Sequence, residues 1–156
     1  MNFSSPIAKA EMLIRKPVEE VFEAFVNPAI TTQFWFTKSS GRLDENKQVE
    51  WIWEMYNYTA PVKVISVETN KKIVIEWGSA EEATIVEWVF KSLDNGTFVS
   101  VVNSGFKGDA DKIIAQVRDS TEGFTLVLAG LKALLEYNIR LNLVGDRFPT
   151  GLSGRS

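Results

Sequence analysis

The feature that most constrains this chain is a run of period-two segments joined by short turns, which gives way after residue 108 to one long stretch of period 3.6. Parallel pairing needs a crossover of about a dozen residues or more, so segments this closely spaced predict an antiparallel meander. Val49, Trp51, Trp53 and Met55 alternate with Glu50, Ile52 and Glu54, and further strands read as Ala60 to Val67, Lys72 to Trp77, Thr84 to Leu93 and Thr97 to Phe106. Turn chemistry falls between them at Asp44-Glu45-Asn46, Thr69-Asn70, Gly78-Ser79 and Asp94-Asn95-Gly96, with Asn95-Gly96 the strongest hairpin signal.

Ahead of the meander, Ala8, Ala10, Met12 and Ile14 alternate with Lys9, Glu11 and Leu13 as a first, half-buried strand. Pro17 then opens a short helix carrying Val18, Val21, Phe22, Phe25 and Val26, which Asn27-Pro28 ends, and a second short helical stretch is expected from Ala29 to Phe34. Beyond the meander, Phe124, Val127, Leu128, Leu131, Leu134, Leu135 and Asn138 form one stripe of a helix of about 20 residues. Ser120 is its expected cap and Gly145 its stop, with a separate turn over Ala110 to Val117 before it. The tail from Phe148 is polar, turn-forming and expected to fray.

This order predicts an α+β helix-grip arrangement, in which a curved antiparallel sheet wraps around a long C-terminal helix and two short helices follow strand one. At 156 residues with no repeat or linker, the chain is expected to form one domain over 1–156. Cysteine and histidine are both absent, which removes disulfides, thiolate nucleophiles, imidazole bases and zinc or copper sites built on sulfur or imidazole. No metal or cofactor is predicted. With a net charge of -3 and no basic run longer than Lys71-Lys72, neither nucleic acid nor a membrane surface is an expected partner. There is no basic leader followed by an apolar run, so the expected location is cytoplasmic.

Five tryptophans and ten phenylalanines are generous for this length. Alternation puts Trp51, Trp53, Ile73, Ile75, Trp77, Val86, Trp88, Phe90, Val99 and Val101 on the inner sheet face and Glu50, Glu54, Glu76 and Glu87 on the outer one, opposite lysines such as Lys63 and Lys91. A glycosidase-type pair of carboxylates must share one cleft, so these four predict no catalytic pair, and no catalytic residue is assigned. The aromatic inner face predicts either a filled core or an apolar cavity under the helix. Its expected lining is Trp35, Trp51, Trp53, Tyr58, Trp77, Trp88, Val101, Asn103, Phe106, Phe124, Val127 and Leu131. Tyr56 and Asn138 are further polar candidates, Gly123 and Gly130 could make room or allow close packing, and Gly105 to Asp109 could serve as a lid or a plain connector.

Several landmarks then resemble the activator of heat-shock protein 90 ATPase-like family, within the START and birch-pollen-allergen (SRPBCC) superfamily. They are Pro17 to Phe25 with Pro28 and Trp35, Val67-Glu68, Glu76-Trp77, Gly96-Thr97, Ser104-Gly105-Phe106, and Gly123-Phe124 followed by Leu128, Leu131 and Leu135. The family commonly has Gly-Trp where this chain has Gly123-Phe124, and often a histidine where it has Asn103. The resemblance implies the helix-grip fold and a cavity for a hydrophobic or amphipathic small molecule such as a lipid, a polyketide or an aromatic. It implies two alternatives as well. One is a co-chaperone-like regulator of a heat-shock protein 90 homologue in the stress response, for which the eukaryotic activator's separate N-terminal domain is not expected here, since strand one comes so early. The other is a cyclase or aromatase using Tyr58, Asn103 or Arg118 for proton transfer. A monomer or homodimer is expected.

Overall fold

The computed structural model describes residues 5–44 and 47–149. Strand β1 (Ala8–Ile14) leads through Pro17 into helix α1 (Val18–Val26) and the four-residue α2 (Pro28–Thr31). A two-residue strand β2 (Lys38–Ser39) precedes the meander of β3 (Gln48–Trp53), β4 (Tyr58–Glu68), β5 (Lys72–Trp77), β6 (Thr84–Leu93) and β7 (Gly96–Ser104). Helix α3 (Ala110–Tyr137) and the short α4 (Leu143–Arg147) complete the described chain.

All neighbouring strands are antiparallel, in the order β1-β7-β6-β5-β4-β3-β2. The sheet is curved and does not close, and α3 lies in its concavity, so the helix-grip arrangement expected from the pattern is the one adopted. A register shift between Val64 and Ser66 puts a bulge into β4, and bulges bend the strand that carries them. Thr31 ties α1 to α2 by donating its buried hydroxyl to the Ala24 carbonyl at 2.6 Å.

At the β6–β7 hairpin the turn residues are Asp94 and Asn95, and Gly96 already belongs to β7, paired with Leu93. Gly96 takes φ +150°, and a Cβ there would sit 2.3 Å from the Ile14 carbonyl oxygen at the end of β1. Only glycine lets the hairpin and the first strand approach so closely.

Several local expectations need correction. The long helix is one continuous 28-residue element capped by Asp109, whose carboxylate accepts from the Lys112 N–H at 2.9 Å. Ser120 lies inside it, and the separate turn over Ala110 to Val117 is its first two turns. It ends at Asn138, which takes a left-handed conformation as C-cap, so this residue is exposed at the helix end and faces no cavity. Gly145 belongs to α4, and α4 and β2 were not foreseen. Met55 and Glu54 leave the β3 pattern for a 3₁₀ turn, where Glu54 pairs with Lys38 at 3.4 Å. The second short helix stops at Thr31, well before Phe34. The turn at Glu45-Asn46 and the tail from residue 150 lie outside the described residues.

One buried cluster joins the inner faces of β1 and β3 to β7 with α1 and the second half of α3. The strand carboxylates Glu50, Glu76 and Glu87 point away from it. Glu76 faces Lys63 in the β4–β5 register, while Glu87 lies 3.9 Å from the Lys72 ammonium. No helix among the described residues is long and apolar enough to cross a membrane.

Candidate ligand cavity

Helix α3 changes character along its length, and the cavity follows from that change. From Phe124 onward it buries Phe124, Val127, Leu128, Leu131 and Leu134 against the sheet, whereas its first half presents Gln116, Asp119, Ser120 and Gly123. Small and polar side chains cannot fill the concavity beneath them. The result is a cavity of about 720 Å³ between this half-helix, the ends of β4 to β7 and α4, within the size range of small-molecule sites.

Its apolar wall is Trp35, Trp53, Trp77, Phe106, Phe124 and Val127, with Tyr58 at the rim, 53% exposed. Asn103 completes the expected residues that reach the lining. The other four do not: Trp51, Trp88, Val101 and Leu131 are each no more than 1% exposed and form the packed core beneath. Core filling and cavity lining therefore occur at two depths of one aromatic cluster. Trp35 is its hub, with ring centroids 4.8 Å from Trp51, 5.9 Å from Trp77, 6.0 Å from Trp88 and 5.7 Å from Phe124.

Two buried polar side chains, Thr84 and Asn103, stand at one end of this lining. Asn103 is 2% exposed, and its amide donates to the Ile85 carbonyl and to the Thr84 hydroxyl oxygen, each at 2.9 Å. Its carbonyl accepts from Ser120 Oγ at 2.8 Å. The Trp77 indole N–H donates to the same Thr84 oxygen at 3.0 Å. β5, β6, β7 and α3 are thus joined by one network at the cavity's polar end.

Helix α4 borders the cavity with Val144 and Arg147. The Tyr56 hydroxyl donates to the Val144 carbonyl. Arg147 donates to Asp119 Oδ1 at 2.7 Å and to Glu122 Oε1 at 2.8 Å, and its guanidinium lies 4.7 Å from the Phe148 ring centre. A Cβ on Gly123 would meet this guanidinium at 3.1 Å, so the glycine makes room for the Arg147 anchor. Gly130 instead lies against Phe34 in ordinary packing contact.

The connector from Gly105 to Asp109 is tied down at both sides, with Lys107 donating to the Ala83 carbonyl at 3.1 Å and accepting at its own carbonyl from Gln116 at 2.9 Å. It contributes Phe106 to the wall. Of the side chains considered for proton transfer, Arg118 is exposed and off the lining, and the Asn103 amide has both hydrogens committed. The lining residues not expected from sequence include Thr84, Glu82, Gln116, Asp119, Ser120 and the α4 residues Val144 and Arg147. Thr84 was legible from the phase of β6, two before Val86; Ser120 carried a cap signal, and the α4 residues carried none.

A curved sheet gripping one helix over an internal cavity defines a protein of the START and birch-pollen-allergen class. The comparisons place it more closely: the model of the activator of Hsp90 ATPase homolog 1-like protein family matches residues 15–136, and the chain belongs to that family. A Staphylococcus saprophyticus protein of known structure is 28% identical, with a TM-score of 0.76 over 87% of this chain and 96% of its own. The Aha1 dimer from Colwellia psychrerythraea is 16% identical, with a TM-score of 0.74 over 85% of this chain and 97% of that one. DynU16, from the dynemicin biosynthetic locus, is 17% identical with a TM-score of 0.76 over 86% of this chain and 48% of its own. These last two are likenesses of fold. No curated protein matches.

Proposed function

We propose that this protein is a single-domain, cytoplasmic binder of a hydrophobic or amphipathic small molecule, a lipid, polyketide or aromatic, held without covalent chemistry between the sheet and α3. The observation that carries this reading is the 720 Å³ cavity with aromatic walls and one hydrogen-bonded polar end. Tryptophans 35, 53 and 77 on its wall make occupancy visible. Titration with a panel of lipids and polycyclic aromatics is expected to change tryptophan emission saturably, and native mass spectrometry of gently purified protein to show an added mass. A flat emission response across the panel together with a clean apo mass overturns the reading.

Family membership supports a second reading, a co-chaperone-like regulator of a heat-shock protein 90 homologue. On that reading, stoichiometric protein changes the chaperone's ATPase rate and co-sediments with it. Unchanged rate and sedimentation end it.

A further inference from the structure

The hydrogen-bond directions at the polar end of the cavity leave one donor unspent, and they can be followed from a fixed starting point. The Ile85 carbonyl can only accept, so the nitrogen of the Asn103 amide must face it. The second hydrogen on that nitrogen then goes to Thr84 Oγ1, and the Asn103 oxygen takes the Ser120 hydroxyl hydrogen. The Trp77 indole can only donate, so its bond to Thr84 Oγ1 occupies the second lone pair of that oxygen. A hydroxyl with both lone pairs engaged has only its hydrogen left to offer. Thr84 is 8% exposed, lines the cavity, and among the described residues its hydrogen has no acceptor. Ser120, with its hydrogen spent on Asn103, keeps only acceptor capacity.

Charge points the same way. The ionisable groups on the wall, tyrosines aside, are Glu82, Asp119 and Arg147, and Arg147 is held by Asp119 and Glu122. An anionic headgroup entering here meets two carboxylates and a guanidinium already paired, and burying an unpaired charge is costly.

We propose that Thr84 is the donor that orients the ligand, and that the ligand is an uncharged, largely apolar molecule presenting a carbonyl-type oxygen to it. This rests on the cavity-binding reading above. The Asn103 amide acts as a positioning group, forcing the Thr84 hydrogen outward. A molecule lacking an acceptor leaves that hydrogen buried and unpaired, which is the stronger form of discrimination available to such a site.

The test uses three naphthalenes of one shape read by tryptophan emission: 2-acetylnaphthalene, its hydrocarbon isostere 2-isopropenylnaphthalene, and 2-naphthoate. The affinity ratio of ketone to isostere is expected to fall about tenfold from wild type to Thr84→Val and to be kept in Thr84→Ser, with 2-naphthoate the weakest ligand of the wild type. An unchanged ratio in Thr84→Val overturns the assignment of Thr84, and naphthoate binding as tightly as the ketone overturns the uncharged class. If Thr84→Val does not fold, the carbonyl stretch of 2-acetylnaphthalene bound to the wild type decides. A shift below its frequency in dry hydrocarbon supports the donor, and an unshifted band overturns it. Absence of binding by all three, with no added mass in native spectra, removes the cavity reading itself, whereas binding without discrimination removes only this inference.

Discussion

At Asn103 one buried amide makes three hydrogen bonds and so joins β6, β7 and α3. Replacing it with leucine removes all three bonds, leaves the Ser120 hydroxyl without this acceptor and frees the Thr84 hydroxyl to turn away from the cavity. The expected cost is about 2–3 kcal/mol, measured as a shift in urea midpoint at constant slope. Gly96→Ala is expected to cost more, about 3 kcal/mol or above, because the new methyl meets the backbone of Ile14 and Arg15, which cannot swing aside as a side chain can. An unchanged midpoint for Gly96→Ala in the same assay contradicts the close approach. Residues of this kind were partly legible. Period two put Asn103 on the inner face, but nothing in the sequence tells a buried amide satisfied by the protein from one waiting for a ligand. Likewise Asn95-Gly96 announced a turn correctly, while the reason for glycine, the end of β1 packed against it, comes from a segment 82 positions away (Ile14 to Gly96).

Among the elements, α3 is fastened at its last turns to the end of β1. The Glu136 side chain, 6% exposed, accepts from the Arg15 N–H at 2.9 Å and from the Lys132 ammonium at 2.7 Å, and Lys132 also donates to the Leu13 carbonyl at 2.8 Å. Burial works to raise the pKa of this carboxyl, but the hydrogen bonds from Arg15 and Lys132 outweigh it and hold it below the ordinary carboxylate value. A carboxyl lowered in the folded state stabilises the fold above its unfolded value, and that contribution disappears as pH falls through the folded one. Stability should therefore be complete at neutral pH and decline below the ordinary carboxylate range. Glu136→Gln is expected to lose about 1–2 kcal/mol at pH 7 and to show a shallower decline on acidification, seen in urea melts across that window. Parallel pH profiles for the two proteins contradict the fastener. Helix α4 is held more locally, through Tyr56 and Arg147. Arg147→Ala should speed amide exchange over residues 143–147 severalfold while moving global stability by about 1 kcal/mol or less. Uniform protection of that segment in the variant argues against the anchor. The long elements were readable because their periods run over many residues. The expected start of helix α3 falls too late because Ser120 reads as a cap, whereas Asp109 supplies the cap and the polar first half roofs a cavity. Helix α4, five residues long and containing Gly145, owes its existence to tertiary anchors that no local pattern announces.

For the whole molecule, a ligand that binds only the folded state raises stability by mass action, about 2.7 kcal/mol at a hundredfold excess over its dissociation constant. For a chain of this length that corresponds to roughly 5–10 °C in Tm. A thermal shift that grows with the logarithm of ligand concentration, in step with the emission change, is the expected outcome; emission changes without any shift indicate surface association instead. The fold class was legible at this scale because turns too short for crossovers leave few topologies, and one apolar stripe has only one sheet to cover. The division of the tryptophans between core and cavity was not, since alternation gives the face a side chain points to and not how deeply the helix above it sits.

The two-residue strand β2 carries a consequence of its own. Backbone and hydroxyl groups from residues 37–40 satisfy the outer rim of β3: the Thr37 N–H donates to the Ile52 carbonyl, Ser40 N–H to the Glu50 carbonyl, and the Ser40 and Thr37 hydroxyls accept from the Glu50 and Glu54 amides. A sheet that ends in so brief a strand offers an incoming β-segment almost no ladder to extend. Copies of this chain are thereby discouraged from adding strand to strand at that border, a margin that resists fibrous growth.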